Sequence, residues 1–298
     1  MKMIHGMDNQ NIVSVIISSY NHAPYVEQSI LSVLEQSYQN VELLVIDDGS
    51  TDDSVKRIEA LQAIYGFDFR VQKNQGLTRT LNEAVKRAKG TFIVPFGSDD
   101  IMLKERLSLQ MDHILNKPEV GICAGNIELM NADGTSFQKK RDVPQPAFRR
   151  LNFDDVFLER KPFAPAPTML IRREAFERVG GFDPLIRLED LYIQLKITHA
   201  GYFIDALGET LARYRKHPTN TYKNIRFMTE SILRIYQDYA DHPDYEKVRH
   251  RFINSMLVKS SRRDKELARE LLAMLPLRAW NRRTFASLLR YPFAPRVS

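Results

Sequence analysis

Short apolar runs, each closed by a polar cluster and followed by a helical stripe, recur through residues 12–130 and restrict the fold more than any other feature. Ile12–Ile17 reads as a buried strand, followed by a polar turn and a helix from about Tyr25 to Glu35. Val41–Ile46 is a second strand, ending at Asp47-Asp48-Gly49-Ser50, and Asp52 or Asp53 then caps a helix running to about Ile64. Phe69–Val71 is a short third strand. In the helix after it Leu77, Leu81, Val85 and Ala88 fall on one stripe. Thr91–Pro95 forms the next strand and ends at Gly97-Ser98-Asp99-Asp100. Leu103, Leu107, Met111 and Leu115 then mark a helix, and Gly121–Leu129 a strand before a turn at Asn131–Gly134.

Strands that alternate with helices in this way build a mainly parallel sheet with helices on its faces. Ligands of such sheets bind beyond the carboxyl ends of the strands. The polar clusters Ser18–Asn21, Asp47–Asp52 and Gly97–Asp100 occupy three of those ends, which points to one shared site. Neither the G-x-G-x-x-G nor the G-x-x-x-x-G-K phosphate signature is present.

Later segments are less regular. Residues 136–168 are rich in Pro and aromatics (Pro144, Pro146, Pro162, Pro165, Pro167) and read as irregular. A strand resumes at Met169–Ile171, then a helix at Arg173–Val179 stopped by Gly180-Gly181. Leu188-Glu189-Asp190-Leu191 opens a helix reaching about His199. Beyond Arg213–His217 the chain is almost wholly helical.

Composition excludes several classes. With 43% apolar residues the chain can bury a sizeable core, and with one cysteine, Cys123, it forms no internal disulfide and no Cys-rich zinc module. Cys123 reads as a small buried residue inside a strand. No run approaches the roughly 18 apolar residues of a membrane span, and the polar start lacks an apolar signal core, so the expectation is a cytoplasmic protein. The net charge of +6 is uneven: residues 219–298 carry 16 Lys and Arg against 8 Asp and Glu. The rest of the chain is slightly acidic. Such a tail suggests an anionic partner, or simply a solvated helical face.

The acidic pairs carry the chemical argument. Facing carboxylates repel unless a cation lies between them or water solvates them. Asp99-Asp100 suits a Mg2+ or Mn2+ with few protein ligands, leaving positions for phosphate oxygens. Asp48 suits hydrogen bonds from a base or ribose. Turn chemistry and helix capping are the plain alternative for each pair alone, but two pairs on successive strand ends favour a site.

Val15-Ile16-Ile17-Ser18-Ser19-Tyr20-Asn21, then Val45-Ile46-Asp47-Asp48-Gly49-Ser50-Thr51-Asp52, Asn74-Gln75-Gly76 and Ser98-Asp99-Asp100 together resemble the inverting family 2 glycosyltransferases of the GT-A fold. Phe176–Pro184 and Leu188–Leu191 resemble the acceptor-side half of that family, so the resemblance covers roughly residues 12–217. It implies a nucleotide-diphosphate-sugar donor, most often UDP-linked, and a divalent metal, Mn2+ or Mg2+. By position, Ser18, Tyr20 and Asp48 would contact base and ribose, Asp99 would bind donor and metal, and Asp100 would assist at the metal or ribose. Gly97 stands where the D-x-D element has its first Asp. Asp190 matches the base that deprotonates an acceptor hydroxyl, with helix N-terminal charge as the plainer reading of Glu189-Asp190. His217, in Tyr214-Arg215-Lys216-His217, resembles a Y-R-x-H element whose His approaches metal or diphosphate; a surface His after a strand is the alternative. Arg79 and Asn82 are weaker candidates near the donor, and the remaining histidines show no metal-ligand spacing.

The expected domains are a GT-A domain over residues 1–218 and a basic helical extension over 219–298. The first divides into a nucleotide-binding half, about 12–130, and an acceptor half, about 131–218. Arg269–Phe293 mixes Leu271, Leu272, Leu275, Leu277, Trp280, Phe285, Leu288 and Leu289 with Arg278, Arg282, Arg283 and Arg290, and Pro276 splits it into two short helices. That mixture fits a segment lying on an anionic membrane at the inner face of the cell envelope, or packing on the domain or a second copy. No nucleic-acid motif accompanies the charge. The expected acceptor is a glycan or lipid-linked glycan of cell-envelope polysaccharide synthesis. The rival functions are a non-catalytic nucleotide-sugar-binding scaffold and a sugar nucleotidyltransferase, whose Gly-rich phosphate loop is missing at Ser18–Asn21.

Overall fold

A computed structural model describes residues 11–137, 145–186, 188–218, 220 and 223–290. The polar start of the chain up to residue 10, Pro144 and Phe293 lie outside the described residues. Two compact units meet in sequence between His217 and Pro218.

The first unit is built on one nine-stranded sheet. Strand β1 (Val13–Ser19) is followed by α1 (Val26–Leu34), β2 (Val41–Asp47), α2 (Ser54–Tyr65), β3 (Asp68–Val71), α3 (Leu77–Arg87) and β4 (Phe92–Gly97). These strands pair in the order β3-β2-β1-β4, all parallel. The apolar runs are buried on both faces, as parallel strands between helices require: Val13, Val15, Ile16 and Ile17 are fully inaccessible. Val13, Val15 and Ile17 share one core with Val26, Ile30 and Val33 of α1.

The remaining strands are β5 (Ile101–Met102), β6 (Val120–Asn131), β7 (Arg149–Leu151), β8 (Leu170–Arg172) and β9 (Phe203–Lys216). Helices α4 (Arg106–Ile114), α5 (Phe153–Phe157), α6 (Arg173–Arg178) and α7 (Glu189–His199) lie between them. Here the sheet becomes mixed. β8 runs antiparallel to both β4 and β6, while β6 and β9 form a long parallel pair. Parallel ladders still hold most of the paired positions. Arg106 is fully buried and donates to the carbonyls of Pro167 and Met169, tying α4 to the segment that enters β8. Burial pushes its guanidinium down to about 9.

Within the stretch expected to be irregular, β7 and α5 are three and five residues long, too short to show a period. Asn152 caps α5 in a reciprocal box with Asp155. β9 lacks a clean apolar pattern because Asp205 sits inside it. That buried carboxylate takes Arg150 through Nε at 2.7 Å and through a second nitrogen at 2.8 Å, and meets His113 at 2.8 Å. Cys123 lies in β6, fully buried, and burial pushes its thiol up to about 12.

The second unit contains α8 (Ile225–Gln237), α9 (Tyr245–Ser260), α10 (Lys265–Ala273) and α11 (Arg282–Arg290). It has its own core, in which Ile253, Met256 and Leu257 of α9 meet Leu267, Leu271 and Leu275. Pro276 does separate two helices, with a short 3-10 turn at Leu277–Ala279 between them. Arg226 of α8 reaches both Asp264 and Glu270, fastening the ends of α10. No helix among the described residues is long and apolar enough to cross a membrane.

Candidate active site at the carboxyl ends of the strands

Sheet register brings the three polar clusters side by side. Ser19 pairs with Asp47 on one flank of β1, and Ser18 with Gly97 on the other. Asp47 closes its own turn: its carboxylate accepts the Ser50 N–H and the Ser50 hydroxyl, both at 2.7 Å. Gly49, at φ 81°, supplies the left-handed residue this turn needs. Asp48 is 3% exposed and accepts from Gln72 Nε2 and from the backbone N–H groups of Gln75 and Gly76. An ionised carboxylate has about four acceptor positions, so one remains for a ligand. Ser18 is half-buried, whereas Tyr20 is 49% exposed and free to offer a ring face.

The turn after β1 is stitched to the turn after β2. Asn21 holds a left-handed backbone at φ 53°, tolerable for Asn. Its N–H donates to Ser50 Oγ and its side-chain oxygen accepts from the Thr51 N–H, each at 2.8 Å. The His22 N–H donates to Ser54 Oγ, and the Ala23 N–H to Asp52. Asp52 also accepts the Ser54 N–H, so it rather than the N-cap residue Asp53 satisfies the start of α2. Much of the Asp47–Ser54 run therefore acts by fixing where Tyr20 and His22 stand.

The third strand end meets the tip of β9. His217 Nε2 lies 2.8 Å from Asp99 Oδ2, across 118 positions of sequence. His217 is 4% exposed, which corrects the surface-histidine alternative. Asp100 Oδ1 accepts the Arg215 N–H at 2.9 Å, and Arg215 Nε donates to the Asp99 carbonyl at 2.7 Å. The same guanidinium reaches Gln28 and the Ala132 carbonyl and covers the Tyr25 ring. Burial and the charge of Asp99 hold Asp100 well above the usual carboxylate range. Asp99 shares the burial, but its hydrogen bond with His217 and the nearby imidazoles bring it below that range.

A third group joins this pair. His22 Nδ1 stands 2.7 Å from Ser98 Oγ, and its ring is 5.5 Å from that of His217. Donor atoms of His22, Asp99 and His217 all lie within 4.8 Å of one another. Two ligands at right angles and roughly 2.1 Å from an ion stand about 3 Å apart. The 2.8 Å contact between Asp99 and His217 matches that spacing, and imidazole with carboxylate suits a divalent transition ion. The donor set fits a metal. Asp100 is not in the cluster; its carboxylate is turned to the Arg215 backbone. His22 is the functional candidate that spacing overlooks, because its partners are remote in sequence. Its position directly after Tyr20-Asn21, on a strand end, is the one signal that marks it.

Gly97 has a steric meaning here. A Cβ at this position would stand 2.7 Å from Asp99 Oδ1 and 3.2 Å from Asp100 Oδ2. A side chain there would press on the Asp99 carboxylate, whose other oxygen meets His217.

Glu189 and Asp190 open α7, which is anchored through Gln194 to the Ala164 carbonyl. Asp190 Oδ1 accepts the Leu191 N–H at 2.8 Å. Burial raises Asp190 above the usual carboxylate range, and burial with the charge of Asp190 lifts Glu189 to about 8. Asn82 exchanges two hydrogen bonds with the Phe182 backbone, so its part is to pin the approach to α7.

The family model described as glycosyl transferase family 2 matches residues 14–180, more than half of the chain. The chain belongs to glycosyl transferase family 2. A putative teichuronic acid biosynthesis glycosyltransferase of Bacillus subtilis, TuaG, is 30% identical over 213 residues, covering 68% of this chain and 79% of its own. The Escherichia coli UDP-Glc:alpha-D-GlcNAc-diphosphoundecaprenol beta-1,3-glucosyltransferase WfgD is 37% identical over 128 residues, 40% of this chain and 47% of its own. Among solved structures, S. aureus TarS 1-349 in complex with UDP-GlcNAc gives a TM-score of 0.65 at 17% identity over 90% of this chain and 82% of that one. The mannosyltransferase PcManGT of Pyrobaculum calidifontis, in complex with GDP-Man and Mn2+, gives 0.61 at 18% identity over 95% and 88%. At such identities the likeness carries the fold, which is GT-A. The family 2 domain thus contains the three strand-end clusters together with β8 and α6, and the matched stretch ends just before α7.

Proposed function

We propose that this glycosyltransferase moves a sugar, with inversion, from a nucleotide-diphosphate-sugar to a hydroxyl of a glycan or lipid-linked glycan in cell-envelope polysaccharide synthesis. The convergence of Asp99 and His217 at the carboxyl end of the sheet carries the reading. The names of TuaG and WfgD support the envelope setting, and WfgD and the TarS complex a uridine-linked donor.

Tyr20 offers its exposed ring to the base, while Ser18 and the remaining acceptor position of Asp48 take base and ribose polar groups. Asp99 and His217 hold the divalent ion, Mn2+ or Mg2+, and Asp100 acts as a positioning residue through the Arg215 backbone. When bound, the ion neutralises charge on the departing diphosphate. Asp190 accepts the proton of the acceptor hydroxyl as its oxygen bonds to the anomeric carbon. The bond from that carbon to the diphosphate oxygen breaks in the same displacement, releasing the nucleoside diphosphate. Raised by burial, Asp190 is a stronger base than an exposed Asp. In the second unit, Leu277, Phe285 and Leu289 are 78%, 56% and 76% exposed among Arg278, Arg282 and Arg283. That surface suits an anionic membrane, where a lipid-linked acceptor resides.

The test is nucleoside diphosphate release from a panel of nucleotide-sugars with lipid-linked glycan acceptors. The expected result is acceptor-dependent release that falls at least about a thousandfold in Asp190→Asn, with donor binding retained. Donor binding with equal, trace release in both proteins would favour the scaffold reading instead.

A further inference from the structure

We infer that His22 is a third ligand of the metal site, which makes it a two-histidine, one-carboxylate centre selective for transition ions over Mg2+. The inference rests on the metal-assisted transfer reading and concerns a residue that reading does not use.

Three segments distant in sequence deliver the donors: the turn after β1, the turn after β4, and the end of β9. All three donor atoms lie within 4.8 Å of one another, close to the roughly 4.2 Å that separates opposite ligands of a single ion. The imidazole of His22 is oriented from two sides. Nδ1 meets Ser98 Oγ at 2.7 Å, and the backbone is held by Ser54 Oγ at 3.1 Å. Such outer contacts are how proteins aim a ligating histidine. The two imidazoles stand nearly perpendicular, at 84°, with Tyr25 against both rings. A packing role alone is better served by apolar side chains, which carry no desolvation cost for ring nitrogens.

The chemistry follows from the donor set. Mg2+ takes oxygen ligands and keeps its waters, whereas imidazole suits transition ions, Zn2+ and Co2+ more strongly than Mn2+, and Mn2+ more than Mg2+. With Asp100 turned to the Arg215 backbone and Gly97 in the first D-x-D position, the site has one carboxylate in the cluster and two imidazoles. His22 thus compensates for a carboxylate-poor metal site by adding a nitrogen donor.

Metal binding by the full chain, without nucleotide or activity, tests this. Free Mn2+ is followed by electron paramagnetic resonance during titration of wild type, His22→Ala, His22→Asn and Asp99→Ala, with circular dichroism confirming the fold of each. The expected result is that both His22 variants weaken Mn2+ binding at least about tenfold. Mg2+ should displace Mn2+ from wild type only at a hundredfold or greater excess, a margin that shrinks in the His22 variants. Co2+ should give a d–d band that shifts in His22→Asn. Folded His22 variants that bind Mn2+ within twofold of wild type would overturn the proposal, as would wild type that binds no transition ion. Transfer activity retained under either result would leave the glycosyltransferase reading standing.

Discussion

At Gly97, a side chain would crowd the ends of two neighbouring carboxylates. A methyl group at position 97 would sit 2.7 Å from Asp99 Oδ1, so Gly97→Ala should swing that carboxylate out of contact with His217. The expected outcome is a fold that survives with a thermal midpoint near wild type, and donor turnover reduced at least about tenfold, since misplacement of a reacting group by about 1 Å costs up to a hundredfold. Steady-state kinetics beside a thermal scan checks it. Glu189 gives a second test. Folded protein keeps its proton up to about pH 8, whereas an ordinary Glu loses it near 4.5. Between those values the unfolded chain binds fewer protons, so this group lowers stability as pH rises through the window. Glu189→Gln removes that loss. Its thermal midpoint should match wild type near pH 4.5 and exceed it near pH 8. What the sequence shows at this scale is residue type at strand ends: Asp99, His217 and Asp190 are singled out by motif as candidates. It does not show that Asp100 is taken by the Arg215 N–H, or that His22 faces Asp99, since both depend on contacts across the fold.

Elements were legible where period and punctuation agreed. β1, β2 and β4 are apolar runs ended by polar residues, and their register sets Ser18 beside Gly97 and the next residue, Ser19, beside Asp47. Gly180 and Gly181, at φ 82° and 75°, end α6 as their type suggests. β9 was illegible because its buried charge, Asp205, is paired with Arg150 and in contact with His113, both from elsewhere in the chain. The link between α3 and the entry to α7 is equally silent in sequence: Asn82 and Phe182 lie 100 positions apart. Asn82→Ala leaves the buried Phe182 N–H and carbonyl without that partner. It should cost about 1–3 kcal/mol of stability, read as a lower urea midpoint at unchanged m-value.

Over the whole molecule, the excess positive charge lies in the second unit, and the structure divides the basic tail's apolar residues into two sets. Leu271 and Leu275 form the core of the unit, while Leu277 and Leu289 are more than three-quarters exposed. The periodic pattern alone cannot separate these sets, because Leu275 and Leu277 stand two residues apart in the connection after α10, one buried and one exposed. Binding to anionic phospholipid vesicles is expected, falling as salt rises because surface charge is screened over about 8–10 Å. Leu277→Asp with Leu289→Asp should abolish it while leaving donor turnover on a soluble acceptor unchanged; vesicle co-sedimentation reads this. Retention of vesicle binding by that double variant would remove the membrane role from this surface.

The strand-end site is proposed to take a nucleotide-sugar through Asp99. Binding there is tested most directly by thermal stability against a panel of nucleoside diphosphates and nucleotide-sugars, with and without Mn2+, in wild type and Asp99→Ala. The predicted result is a metal-dependent rise in midpoint for one base, lost in the variant, which identifies the donor. No rise with any nucleotide, in either protein, would contradict the claim.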